Sequence, residues 1–162
     1  MEFQDAVKKV CFLLNDAAKN SDRARRCCQD FGEIIRSLVH FWQDKYLQDQ
    51  GFKLKLYTNG FYIGRMDSNG NRHGYGVSVV DGNSIYCGDW SNDKWDDDEG
   101  VMVFFSNRVI YIGSFVRGNL TGRARKYQLN NGLEIAGKFV DGNLVELEHY
   151  SDEVSGLRKN KW

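Results

Sequence analysis

Four times between residues 62 and 139 the chain writes the same short phrase. The copies are Tyr62-Ile63-Gly64-Arg65-Met66, Tyr86-Cys87-Gly88-Asp89-Trp90, Tyr111-Ile112-Gly113-Ser114-Phe115 and Ile135-Ala136-Gly137-Lys138-Phe139. They start at positions 62, 86, 111 and 135, so they are 24, 25 and 24 residues apart. A period of this size marks an array in which each unit packs mainly on its neighbours. Within the phrase, Tyr62, Gly64 and Met66 point to one side of a strand while Phe61, Ile63 and Arg65 point to the other. Turn residues follow, as in Asp67-Ser68-Asn69-Gly70-Asn71 and Arg117-Gly118-Asn119, and then a second apolar run such as Val77-Ser78-Val79-Val80 or Val101-Met102-Val103-Phe104-Phe105. Strand, turn, strand and turn in 24 residues leave no room for a crossover helix. Each unit is therefore expected to be an antiparallel hairpin, and the array a single twisted sheet with one face rich in aromatics.

A glycine in mid-strand ordinarily weakens it, so the recurrence at Gly64, Gly88, Gly113 and Gly137 predicts a structural use: an aromatic ring lying directly on the backbone there. Gly74 and Gly76 punctuate the second strand in the same way; a phosphate-binding glycine loop would instead open a helix. The chain has 17 glycines, no proline and 14% aromatic residues, which suits a β protein with many tight turns.

Before the repeats the pattern changes. Phe3, Val7, Val10, Leu14, Ala17, Ser21, Ala24, Cys28, Phe31, Ile35, Leu38 and Trp42 follow one another at steps of four and three, a heptad seam. It predicts either one helix of about 45 residues, or a helical hairpin with Asn20-Ser21-Asp22 ending one helix and capping the next. Homo-oligomerisation through residues 3–42 is one way to bury the stripe; packing against the sheet is another. The expected organisation is thus an α+β chain: a helical segment over 1–50, β-hairpin repeats over 51–148, and a C-terminal tail over 149–162.

The repeated part resembles the MORN repeat family, whose units read roughly Tyr-x-Gly-x-aromatic, a Gly, Gly-x-Gly, and then Gly-x-x-Tyr-x-Gly. Tyr62, Gly64, Met66, Gly70, Gly74, Gly76, Gly82, Tyr86, Gly88 and Trp90 stand in that order. The second unit departs, carrying Asn92-Asp93-Lys94-Trp95-Asp96-Asp97-Asp98-Glu99 before Gly100, and the fourth opens on Ile135. The likeness spans residues 56–145 and leaves the N-terminal segment out. It implies a scaffold whose groove receives a helix or an extended segment of a protein partner; association with phospholipids has also been proposed for such repeats.

Tyr62, Tyr75, Tyr86, Trp90, Tyr111 and Phe115 are the candidate groove residues, since aromatic rows supply contact area with a polar handle. The competing reading is that they only form the core of the array. Asp96-Asp97-Asp98-Glu99 lacks the spacing of a calcium loop and reads as a solvated turn. His40, His73 and His149 have no Cys or His at metal-ligand spacing, and Cys27-Cys28 is neither a redox pair nor half a zinc knuckle, so no metal or cofactor is expected. Cys11, Cys27, Cys28 and Cys87 are irregularly placed and read as thiols of a reducing compartment. Arg23, Arg25 and Arg26, then Arg117, Arg123, Arg125 and Lys126, and last Arg158, Lys159 and Lys161 are basic clusters that could contact phosphates. Lys plus Arg equals Asp plus Glu at 22 each, so no overall field favours nucleic acid, and a membrane surface is a secondary prospect. Neither a signal peptide nor a membrane span is visible, which leads to a cytoplasmic, non-enzymatic adaptor. Its rivals are a lipid-surface binder and a small enzyme or effector built on Asp89, Asp97 and Glu99.

Overall fold

The computed structural model describes residues 53–80, 82–104, 106–128, 131–152 and 157–160. Its elements are all strands: β1 (Lys53–Tyr57), β2 (Gly60–Met66), β3 (Arg72–Val80), β4 (Ser84–Ser91), β5 (Lys94–Trp95), β6 (Asp97–Phe104), β7 (Val109–Val116), β8 (Asn119–Gln128), β9 (Leu133–Val140), β10 (Asn143–Asp152) and β11 (Leu157–Asn160). They form one sheet in the order β1-β2-β3-β4-β6-β7-β8-β9-β10-β11, with β5 paired to β4 off that path, and every pairing is antiparallel.

This corrects the α+β expectation. The described chain is all-β, because the two-residue alternation and the turn signals continue without a break from Lys53 onward. The helical expectation rested entirely on residues 1–50, which lie outside the described residues. The supposed tail from residue 149 also changes character: β10 runs on to Asp152, and β11 pairs with it.

The register explains the repeat. On one face a single ladder row runs Lys55, Tyr62, Ser78, Tyr86, Met102, Tyr111, Lys126, Ile135 and Tyr150, each paired with the next. The next row holds Gly64, Gly76 and Gly88, and farther along Gly100, Gly113, Ala124 and Gly137. Each Tyr62 or Tyr86 ring folds over this side-chain-free row: a Cβ placed on Gly88 would stand 2.6 Å from the Tyr86 hydroxyl, and one on Gly100 2.8 Å from it. The expected ring-on-glycine contact is found at Gly64 and Gly88, where the ring belongs to the tyrosine two residues before the glycine; at Gly113 the nearest neighbours are instead Ala124 and the Arg123 carbonyl, and at Gly137 the Glu146 carbonyl and Leu144.

Just past the glycine row the pairing slips, between Gly64 and Met66, between Asp97 and Gly100, and between Gly113 and Phe115. Such bulges increase local twist and interrupt the ladder. The first one skips Arg65, and the Tyr62 hydroxyl donates to the Arg65 carbonyl at 2.6 Å. Tyr86 does the same to the Asp89 carbonyl at 3.0 Å. The repeated tyrosine thus fills the glycine row and closes the backbone at the irregularity beyond it.

Three hairpin tips stitch the units together. Asp93 N donates to Arg72 O at 3.0 Å, Gly118 N to Trp95 O at 2.8 Å, and Gly142 N to Leu120 O at 2.9 Å, so the sequence period returns as a period of inter-hairpin bonds. Arg117-Gly118 and Asp141-Gly142 have positive φ at both positions, as the tight two-residue turn matching strand twist requires.

The opposite face is aliphatic. Phe61, Ile63, Val77, Val79 and Ile85 are buried there, as are Cys87, Val101, Val103, Ile110 and Ile112. None of them is more than 5% exposed.

Candidate functional site

The aromatic face is built on a fixed floor. Tyr62 and Trp90 meet edge to face at 5.5 Å between ring centroids, Tyr86 and Trp90 at 5.3 Å, and Tyr86 and Phe115 at 5.3 Å. These four rings are at most 3% exposed. Burial pushes the Tyr86 hydroxyl far above the ordinary phenol range, so it remains a neutral donor to the Asp89 carbonyl. Of the six aromatics singled out in the sequence, these four are core and Tyr111 is half-buried on the same face. Tyr75 lies on the other side of the sheet, one step out of phase with Gly74 and Gly76, with its hydroxyl 3.5 Å from the Cys87 sulfur.

Apart from Tyr111, the accessible lining comes from residues that the repeat did not mark. Trp95 stacks on Tyr86 with centroids 5.2 Å apart and planes 18° from parallel, and it is only half-buried. Tyr57 and Phe104 likewise pack on the floor from partly exposed positions. Two hollows open here and meet at Trp95 and Gly118. One, of about 440 Å³, is lined by Tyr57, Arg72, Trp90, Asp93 and Lys94; the other, of about 310 Å³, by Met102, Phe104, Tyr111, Leu120 and Asp141. Trp95 reaches this place through the departure in the second unit. β5 pairs only Trp90 with Trp95 and Ser91 with Lys94, and the chain then bulges before β6 resumes pairing with β7 at Gly100.

One member of the acidic run holds that bulge. Asp97 Oδ2 accepts the Asp89 N–H at 2.8 Å and its Oδ1 accepts the Glu99 N–H at 2.9 Å, so the carboxylate holds the backbone irregularity in place. Among the described residues no group of three or more His, Cys, Asp and Glu is arranged to hold a metal ion.

Arg72 forms the wall of the larger hollow. Its guanidinium carbon lies 4.3 Å from the centre of the Trp90 ring, and its Nε donates to Asp93 Oδ1 at 3.0 Å. Asp93 Oδ1 also accepts the Arg72 backbone N–H at 2.7 Å. The backbone bond first, and then the guanidinium, hold the Asp93 carboxyl below its ordinary value of 3.8. Because the folded pKa is the lower one, the stability this carboxylate contributes is present above the ordinary value and lost as pH falls through the folded one. Asp93→Asn is therefore expected to lower the urea midpoint at neutral pH, and the gap to the parent to close in acid below 3.8. Urea titrations across a pH series measure that gap.

The basic cluster of the second half is divided between the faces. Arg123 pairs with Glu148 at 3.3 Å and Arg125 with Glu134 at 3.4 Å on the aliphatic side, while Lys126 stands 5.9 Å from the Tyr111 ring centre on the aromatic side. His73 is exposed, Cys87 is a buried thiol, and His40, Cys11, Cys27 and Cys28 lie outside the described residues. No described helix is long and apolar enough to cross a membrane. No family model matches the chain, and no curated protein matches it.

Proposed function

We propose that this chain is a non-enzymatic interaction module of MORN-like hairpin repeats whose aromatic face holds a helix or an extended segment of another protein. The observation that carries the reading is the division of labour among the rings. A floor of Tyr62, Tyr86, Trp90 and Phe115 is fixed by mutual packing, and Tyr57, Trp95, Phe104 and Tyr111 stand half-exposed above it around two adjoining hollows. Rigid aromatic side chains lose little entropy on contact and supply the large apolar area that interface hot spots use. Arg72, Asp93 and Lys94 at one end, and Asp141 at the other, give the hollows polar rims that orient a bound segment.

A lipid-surface role has less support, because the basic residues of the second half are split between two faces and Arg123 and Arg125 are engaged by carboxylates.

The test is selection of a random-peptide display library on the full-length chain. Apolar and aromatic-rich peptides are expected to be enriched. Trp95→Ala should weaken them at least tenfold, about 1.4 kcal/mol, measured where the variant is still fully folded, because losing the ring stacked on Tyr86 also lowers the unfolding midpoint. Failure to enrich any sequence, or equal binding by Trp95→Ala and Tyr57→Ala, would remove the proposal.

A further inference from the structure

The aliphatic face presents a problem that the described strands do not solve. A one-layer sheet leaves the side chains of at least one face in contact with water unless a second layer covers them. Here the strands all belong to one sheet and pack chiefly on their sheet neighbours. Yet two apolar side chains from each of five consecutive strands in that sheet, from Phe61 and Ile63 on β2 to Ile110 and Ile112 on β7, are no more than 5% exposed. At the spacing of paired strands this stripe is roughly 20 Å long. It ends where the face becomes charged, at Arg125 and Lys138.

We propose that this stripe is the docking surface for the chain's own residues 1–52, so that the two faces of the sheet have different occupants: the chain itself on the aliphatic side and a partner on the aromatic side. Two facts select this occupant. Residue 52 leads directly into β1, the edge strand beside β2, where the stripe begins. The C-terminal residues are at the opposite edge, and Leu157–Asn160 are already paired in β11. The N-terminal segment also has the matching chemistry: Phe3, Val10, Leu14, Phe31, Ile35 and Trp42 are apolar residues that need burial. A sheet-to-sheet contact with a second copy would bury the same stripe, and this is the outcome the test must separate.

Cys87 sits within the stripe and is 2% exposed, so its thiol reports whether the cover is in place. The experiment uses the full-length chain with Cys11→Ser, Cys27→Ser and Cys28→Ser, and measures labelling of Cys87 by a maleimide together with solution mass over a dilution series. A monomeric mass and slow labelling that does not change on dilution are expected. Leu14→Asp with Ile35→Asp should then accelerate labelling at least tenfold while the near-ultraviolet circular dichroism of the aromatic cluster persists. Where that variant loses the aromatic signal, lysine cross-linking of the parent chain decides, since Lys138 lies on this face and Lys8, Lys9 and Lys19 lie in the segment. Cross-links within the monomer band support the proposal. Cross-links found only between chains or not at all, labelling that speeds up on dilution alongside a dimeric mass, or labelling insensitive to the two aspartates in a folded chain each overturn it.

Discussion

Gly76→Ala is expected to destabilise the protein by about 3 kcal/mol, near the upper end of what overpacking a core costs. At an unstrained strand position the same change would stabilise by roughly 0.5–1 kcal/mol, because alanine has less freedom to lose on folding. The structure decides against that gain. A Cβ at Gly76 would stand 2.5 Å from Cζ of Tyr62 and 2.7 Å from its Cε1. The ring has nowhere to go: Tyr62 is fully buried, its hydroxyl is bound to the Arg65 carbonyl, and its edge meets Trp90. Urea midpoints measure the loss. Their cause is tested by pairing the substitution with Tyr62→Leu: the double variant should lose less than the sum of the two single changes, whereas simple additivity would show that the ring is not what the methyl group strikes.

Tyr86→Ala should cost about 3–5 kcal/mol, the range for deleting a large buried aromatic. Tyr86 is where the array is joined most closely, since its ring touches Trp90, Trp95 and Phe115 and covers both Gly88 and Gly100. Tyr86→Phe should be far milder, about 1 kcal/mol, because the Asp89 carbonyl that loses the hydroxyl still accepts the Asp96 N–H at 3.0 Å. A phenylalanine variant as damaged as the alanine variant would place the stabilisation in the hydroxyl rather than in the ring. Thermal and urea unfolding followed by tryptophan fluorescence distinguish the two, since Trp90 and Trp95 both lie against this side chain.

The rings fall into two groups with different signatures in the sequence. The phrase around Tyr62, Tyr86 and Tyr111 marked the residues that hold one hairpin to the next, because the same packing requirement recurs at every unit. It could not mark Trp95, which lies in the stretch where the second unit abandons the pattern. A signal existed in retrospect: a tryptophan between a tight Asn92-Asp93 turn and an acidic run is an apolar residue in a place where solvated residues are expected. The acidic run Asp96-Asp97-Asp98-Glu99 reads as a solvated turn, and Asp96, Asp98 and Glu99 are exposed, but Asp97 is half-buried and holds the bulge next to Trp95.

The amino-acid sequence alone determined the hairpin period, the strand alternation, the antiparallel single sheet and the glycine row, because these follow from backbone geometry over two residues and turn chemistry over a few. Only the tertiary structure decided which rings are floor and which are lining, that Tyr75 belongs to the other face from Tyr62, and that the aliphatic face is buried as completely as the aromatic one. Those outcomes depend on contacts between residues distant in the chain and on where a bulge shifts the register, and a local pattern carries no record of either.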